Sequence, residues 1–113
     1  MDPEKRRTLT VVYAIKALRQ LDEIWDWNEQ TYGPEHADKY IEFLERHIDA
    51  LNSEFERGKH VGAMPELRYV LIRRKSRGHG HLAVYKIKEE MVHVLHVFHS
   101  AQDWENKLAA EPQ

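Results

Sequence analysis

The sequence contains no cysteine, and only five glycines and four prolines occur among its 113 residues. Because no disulfide can form, the fold must be held together by packing alone, which suits a reducing compartment. No apolar run is long enough to span a bilayer, and the first residues do not have the layout of a signal peptide. These absences lead us to expect a cytoplasmic protein that does not interact with a membrane.

A strong charge of either sign is also missing, since 17 basic and 19 acidic residues give a formal net charge of -2. A dedicated, non-specific nucleic-acid binder carries a positive excess, so this balance argues against that class. The fractions of hydrophobic residues (42%) and charged residues (32%) are typical of a globular chain. The length fits a single domain, residues 1–113, with a core at about residues 9–108 between frayed ends.

Two stretches have the 3.6-residue period of amphipathic helices. In residues 16–31, Ala17, Leu21 and Ile24 recur on one face, and the stretch ends at Gly33-Pro34, a pair that stops one helix and opens the next. The second stretch carries the clearest apolar pattern, at Ala37, Tyr40, Ile41, Leu44, Ile48, Leu51 and Phe55, and should end near residue 57. Two long helices with so short a joint predict an antiparallel helical hairpin.

Four runs rich in β-branched and aromatic residues predict strands at residues 9–14, 66–75, 82–88 and 91–99. Residues 58–65 are expected to form a loop, and residues 73–81 a basic turn. On the last strand, one face is expected to carry Val92, Val94, His96 and Phe98, and the other His93, Leu95, Val97 and His99. Both faces are apolar at their centres, which predicts a strand inside the sheet that is covered on both sides.

A short helix is expected at residues 101–110, with Trp104 and Leu108 facing inward. The chain therefore has the order β-α-α-β-β-β followed by this helix. That order predicts an α+β fold, a two-layer sandwich in which the helical hairpin packs on a small antiparallel sheet.

The eight histidines raise the question of a metal site. On a strand, His93 and His99 share a face and His96 points the other way, so the three cannot converge on one ion. Solvated or hydrogen-bonded imidazoles are the favoured alternative. There is no recognisable Ser-His-Asp frame and no glycine-rich phosphate loop. We predict no metal and no cofactor.

A basic cluster lies on the strand at residues 66–75 and in the turn after it: Arg68, Arg73, Arg74, Lys75 and Arg77. Such a cluster can grip phosphates or an acidic protein partner. It can equally protect an edge strand against unwanted pairing, and both interpretations stay open. In the first helix, Trp25 and Trp27 are two residues apart and cannot share a face, so we expect one to pack inward and the other to lie under a partner or the second helix.

These features together resemble a known family. They are residues 21–27 (LDEIWDW), the apolar stripe of the second helix, Glu66-Leu67-Arg68, residues 84–87 (VYKI) and residues 94–104 (VLHVFHSAQDW). The combination resembles the RelE/ParE superfamily of type II toxin–antitoxin toxins, and the ParE branch in particular, over about residues 9–105. The chain departs from the family at Gln20, where an Asp is usual, at residues 100–103, where Gly and then Ala-Arg-Asp are frequent, and in its slightly acidic charge.

The resemblance implies a plasmid-stabilising toxin that is not itself an enzyme. Such a toxin binds DNA gyrase and stalls it after DNA cleavage, and a cognate antitoxin neutralises it in a hetero-oligomer, without direct sequence-specific contact between toxin and nucleic acid. A flexible antitoxin segment that folds on binding can wrap a large surface. The residues that this interpretation assigns to partner binding are Arg68, Arg73, Arg74, Lys75, Arg77 and Trp104.

The RelE branch supplies an alternative, a ribosome-dependent mRNA interferase. Its site would draw on Arg68, Arg73, Tyr85, His96 and His99. No tyrosine follows Tyr85, so we favour the ParE interpretation, in which His99 is a structural residue at a strand end. A third possibility is a domain of the same fold that binds an antitoxin without being toxic.

Overall fold

The structure is a computed structural model that describes residues 7–76 and 78–111. Its elements are β1 (Thr10–Tyr13), α1 (Ile15–Tyr32), α2 (Pro34–Asp49), α3 (Leu51–Glu54), β2 (Lys59–Val61), β3 (Met64–Ile72), β4 (His81–Lys88), β5 (Met91–His99) and α4 (Trp104–Ala109). The strands form one five-stranded sheet in the order β1-β5-β4-β3-β2. The predicted α+β arrangement of a helical hairpin on a sheet is confirmed.

The joint of the hairpin is a single residue, Gly33, between α1 and α2. Its φ of 96° lies in the left-handed region that favours glycine, and its N–H donates to the Glu29 carbonyl at 2.8 Å. Pro34 then opens α2, where its missing N–H costs nothing. The two helices are also tied by the Trp25 indole, which donates to Asp38 at 2.8 Å. The second helix is interrupted earlier than predicted, because α2 ends at Asp49 and the short α3 follows.

The sheet differs from the prediction at both edges. β1 runs parallel to β5, whereas the other neighbouring strands are antiparallel. Most of the chain separates β1 from β5, so no tight turn forces them to be antiparallel. At the opposite edge, residues 58–65 are not simply a loop, because β2 lies within them. In β2, Lys59 pairs with Tyr69 and His60 with Arg68 before the register shifts at Val61. A three-residue strand is too short for its alternation to show in the sequence.

A β-bulge in β5 changes which side chains share a face. Val84 of β4 lies opposite His96, and the next residue, Tyr85, lies opposite Val94, so Leu95 has no partner. One extra residue in a strand reverses the alternation beyond it. The face assignment of β5 is therefore wrong after Leu95, where Val97 joins Val92 and Val94 and Phe98 lies on the opposite face, although the strand itself was predicted correctly.

Two clusters of buried side chains lie on opposite faces of the sheet. The hairpin side, here called the upper core, includes Ala17, Leu21, Leu44, Ile48, Leu51, Tyr85, Val92, Val94 and Val97. The other side, the lower core, consists of Val61, Leu67, Leu82, Val84, Phe98 and Leu108, with Trp104 packed against it. β5 is thus covered on both faces, as predicted, by the hairpin on one side and α4 on the other.

The chain ends were expected to be frayed, but residues 1–6 and 112–113 lie outside the described residues. Glu111 is described and is not loose, since its carboxylate binds the Lys16 ammonium at the start of α1. This ion pair connects the segment after α4 to the helical layer. Within the described residues, no helix combines the length and the apolar composition needed to cross a membrane.

The upper core predicts a clear stability difference between two leucines. Leu44 is fully buried and Leu18 is 48% exposed. We expect Leu44→Ala to lower the free energy of unfolding by about 2–5 kcal/mol, because it leaves a cavity between α2 and the sheet. The matched control, Leu18→Ala, should change it by less than about 0.5 kcal/mol. Urea unfolding measures both, and equal losses would show that α2 is not packed as described.

Candidate partner-binding surface

A groove of about 900 Å³ runs between the outer side of α1, the ends of β4 and β5, and α4. Its α1 wall carries Gln20, Ile24 and Trp27, which recur at helical spacing on a stripe beside the one that packs on the sheet. Val97 of β5 and Lys107 of α4 contribute to the floor and the far side. The groove is therefore amphipathic, with apolar side chains such as Ile24, Trp27 and Val97 beside polar and charged ones.

Hydrogen bonds fix the position of the α1 wall. The Gln20 side-chain oxygen accepts a hydrogen bond from the Val97 N–H at 2.8 Å, which ties the middle of α1 to β5 beyond the bulge. Asn28 is buried and donates to the Ile24 carbonyl at 2.7 Å. Because both amide side chains are engaged within the fold, the wall presents Ile24 and Trp27 to a ligand, together with the charged Lys16 and Glu23.

One end of the groove is built from a histidine cluster. The ring of His81 packs against His99 with centroids 5.1 Å apart, and His79 lies 5.8 Å from His99. The Tyr40 hydroxyl lies 2.6 Å from His81 Nδ1. Burial lowers the pKa of His81 to about 4, and His99 adds to the effect. His81 is therefore neutral at pH 7, and the ring tautomer decides whether Nδ1 accepts the hydrogen bond from the Tyr40 hydroxyl or donates it.

The histidine cluster does not have the geometry of a metal site. Its rings pack against one another and against Tyr40 instead of converging on a point. Across residues 7–76 and 78–111, no group of three or more histidine or acidic side chains is placed to hold an ion.

The basic turn after β3 continues the groove. Tyr40, His79 and Gly80 line both the groove and a smaller depression that contains Arg74 and Lys75. The Arg74 guanidinium lies 5.2 Å from the Tyr40 ring centre, a cation–π distance, and burial of Tyr40 raises its pKa against the opposing effect of Arg74.

Two other members of the predicted basic cluster belong to the same turn. Arg73 is exposed, and its Nη1 donates to the Gly78 carbonyl at 3.4 Å. Arg77 lies outside the described residues. The structure therefore places Arg74 and Lys75 in the depression at one end of the groove, with Arg73 beside them in the same turn.

Arg68 lies elsewhere and has a role within the fold. Its guanidinium donates to the carbonyls of Glu56 and Gly58, at 2.9 and 3.2 Å. Beside it, the fully buried Tyr85 accepts a hydrogen bond from the Gly58 N–H at 3.0 Å and donates one to the Phe55 carbonyl at 2.8 Å. Burial raises the pKa of the Tyr85 phenol. These bonds attach the segment after α3 to the sheet.

The remaining candidates are also separated from one another. His96 is buried, stacks on Phe98 with centroids 5.0 Å apart, and has its Nε2 3.8 Å from Glu111. His99 is exposed in the groove, and its Nδ1 accepts the Ala101 N–H at 3.0 Å. Trp104 packs on Tyr69 in the lower core. The five residues of the interferase alternative therefore do not meet around one open surface.

Sequence reasoning missed most of the groove, because its walls come from segments far apart in the chain. Two signals were present in the sequence. One was the two-residue spacing of the tryptophans of α1: in the structure, Trp25 turns towards α2, whereas Trp27 is 59% exposed at the groove. The helical spacing of Gln20, Ile24 and Trp27 was the other signal.

Comparison with known proteins gives a family and a fold. Residues 11–104 match the family described as ParE toxin of type II toxin–antitoxin system, parDE. The solved chromosomal ParDE TA system from P. aeruginosa is similar with a TM-score of 0.70 at 20% identity, over 81% of this chain and 96% of that one. A mutant of the E. coli toxin RelE in complex with an antitoxin RelBc peptide has a TM-score of 0.50 at 18% identity, over 94% and 97%. No curated protein sequence matches.

The histidine cluster predicts a dependence of stability on pH. The pKa of His81 in the fold, about 4, lies below its value of about 6.5 in an unfolded chain. As the pH falls through this window, the unfolded chain takes up a proton that the fold does not, so the free energy of unfolding should drop by roughly 2 kcal/mol. The control His81→Asn cannot titrate at this position. Its free energy of unfolding, measured with urea, should therefore fall by roughly 2 kcal/mol less than that of the wild-type chain between pH 7 and pH 4.5. An identical loss in both proteins would contradict the assignment.

Proposed function

The chain belongs to the ParE toxin family of type II toxin–antitoxin systems, and from this premise we propose that it inhibits DNA gyrase by protein–protein binding and is neutralised by a cognate antitoxin. The observation that carries the proposal is the family match over residues 11–104, which include the whole hairpin, four complete strands and all of β1 except its first residue. The proposal implies a cytoplasmic location, because gyrase acts there on the chromosome.

We propose that the antitoxin lies in the groove and extends to the basic turn. Apolar side chains of an antitoxin segment would contact Ile24 and Trp27, and acidic ones would face Arg73, Arg74 and Lys75, whose side chains are exposed. The RelE neighbour was solved with an antitoxin peptide, which supports peptide binding as a property of this fold.

Three further residues remain predicted partner contacts. Arg68 and Trp104 already have partners inside the fold, so a bound antitoxin would have to reach their exposed edges. Arg77 follows Lys75 closely in the chain and extends the same run of positive charge.

The buried candidates favour binding over hydrolysis. A group that moves a proton in RNA cleavage must come within hydrogen-bonding distance of the substrate. Tyr85 and His96 are buried, and both hydrogen bonds of the Tyr85 hydroxyl go to the backbone. No observation favours the mRNA interferase as a second candidate.

The experiment is a supercoiling assay with purified gyrase and the purified chain. We expect supercoiling to stop and cleaved DNA to accumulate, and we expect the product of the adjacent reading frame, as antitoxin, to restore supercoiling.

Arg74→Glu should weaken antitoxin binding at least tenfold, about 1.4 kcal/mol, because it reverses a charge at the end of the groove. The matched control is Lys59→Glu on β2, which makes the same charge change at an exposed position away from the groove and should leave binding unchanged.

Two other results would contradict the proposal. Intact supercoiling together with cut mRNA in a translating extract would identify an mRNA interferase. Intact supercoiling and intact mRNA, with tight antitoxin binding, would identify a non-toxic antitoxin-binding domain.

A further inference from the structure

The tip of the helical hairpin carries a row of three aromatic rings. Trp27 is 59% exposed and Tyr32 is 61% exposed, and their ring centroids lie 6.0 Å apart in an edge-to-face arrangement. The ring of His36 extends the row at 4.5 Å from Tyr32. Exposed tryptophan and tyrosine side by side are the residues that most often carry binding energy in protein interfaces.

The tip is held in one conformation by the joint of the hairpin. Gly33 closes α1 with a hydrogen bond to Glu29, and Pro34 starts α2 immediately. The Thr31 hydroxyl donates to the Trp27 carbonyl at 2.8 Å. This hydrogen bond lies in the last turn of α1, between Trp27 and Tyr32. A rigid support lowers the conformational entropy that the tip itself loses when a partner binds these rings.

Most of the charge around the rings is negative. Residues 22–38 contain six carboxylates and neither lysine nor arginine: Asp22, Glu23, Asp26, Glu29, Glu35 and Asp38. Glu35 pairs with Lys39 just beyond this segment, at 3.3 Å. A basic protein surface can interact with such a tip in two ways. Its cations can pair with the carboxylates, and they can make cation–π contacts with Trp27 and Tyr32. The same kind of contact already occurs within the fold, where Arg74 lies over Tyr40.

The tip and the groove share one residue. Trp27 lines the groove, whereas Tyr32 and His36 do not. A segment bound in the groove would therefore cover one end of the aromatic row and prevent a second protein from using the whole of it.

We propose that the row formed by Trp27, Tyr32 and His36, with its carboxylates, binds an arginine- and lysine-rich surface of the protein that the toxin inhibits. The antitoxin in the groove neutralises the toxin by covering Trp27. The inference rests on the proposed function, in which that protein is gyrase, and enzymes that handle DNA carry basic surfaces of this kind.

Three alanine variants test the proposal with purified gyrase and the antitoxin encoded beside the chain. Tyr32→Ala should weaken gyrase inhibition at least tenfold and leave antitoxin binding unchanged, because Tyr32 lies outside the groove. Trp27→Ala should weaken both at least tenfold. The control Leu18→Ala removes another exposed apolar side chain of α1, away from tip and groove, and should change neither.

Raising the salt concentration should weaken gyrase inhibition by the wild-type chain. Thermal unfolding followed by circular dichroism confirms that each variant is folded.

Each unexpected result has a definite meaning. Full gyrase inhibition by folded Tyr32→Ala overturns the inference and leaves the proposed function standing. If Trp27→Ala binds the antitoxin as tightly as the wild-type chain does, the proposal that the antitoxin neutralises the toxin by covering Trp27 is overturned. If the wild-type chain does not inhibit gyrase at all, the proposed function fails and the inference fails with it.

Discussion

Burial of β5 on both faces is the constraint on which the rest of the structure depends. Its central side chains are apolar on each side, so a layer is needed above and below the strand. The hairpin supplies the upper layer, and the completely buried Ala17 lets α1 approach β5 closely. The much shorter α4 supplies the lower one through Leu108. Because α1 covers only part of the strand ends and α4 is short, the space between them stays open and forms the groove. The groove is thus a consequence of covering one strand with two unequal layers.

A second constraint explains why several candidate catalytic residues have structural roles. Tyr85 bridges the Gly58 N–H and the Phe55 carbonyl, and Arg68 binds the Gly58 carbonyl beside them. A Cβ on residue 58 would lie 2.3 Å from the Tyr85 hydroxyl, so only glycine allows this close approach. The bridge satisfies buried polar groups where the chain passes from α3 to the edge of the sheet. Arg68 and Tyr85 thus attach the segment after α3 to the sheet.

Local patterns allowed most of the fold to be predicted, and long-range pairing accounts for what they missed. The apolar stripe of α2, the Gly33 joint and the last three strands follow from periodicity and turn chemistry. The bulge at Leu95, the parallel direction of β1 and the short β2 depend on partners distant in the chain, which a single sequence does not reveal. The candidate site likewise has a part that the sequence revealed and a part that it did not. The basic turn was visible as a run of charges, but its connection to the groove through Tyr40 required the three-dimensional structure.

The central claim is that this toxin offers one continuous surface, from the α1 wall to the basic turn, to its antitoxin. Amide hydrogen exchange of the chain alone and in complex with that antitoxin tests the claim most directly. We expect exchange to slow in residues 16–28, 74–75, 79–81 and 97–99, which border the groove or the depression beside it, and to stay the same in β2 at the far edge of the sheet. Protection confined to β2 and β3, with no change along α1, would contradict the account.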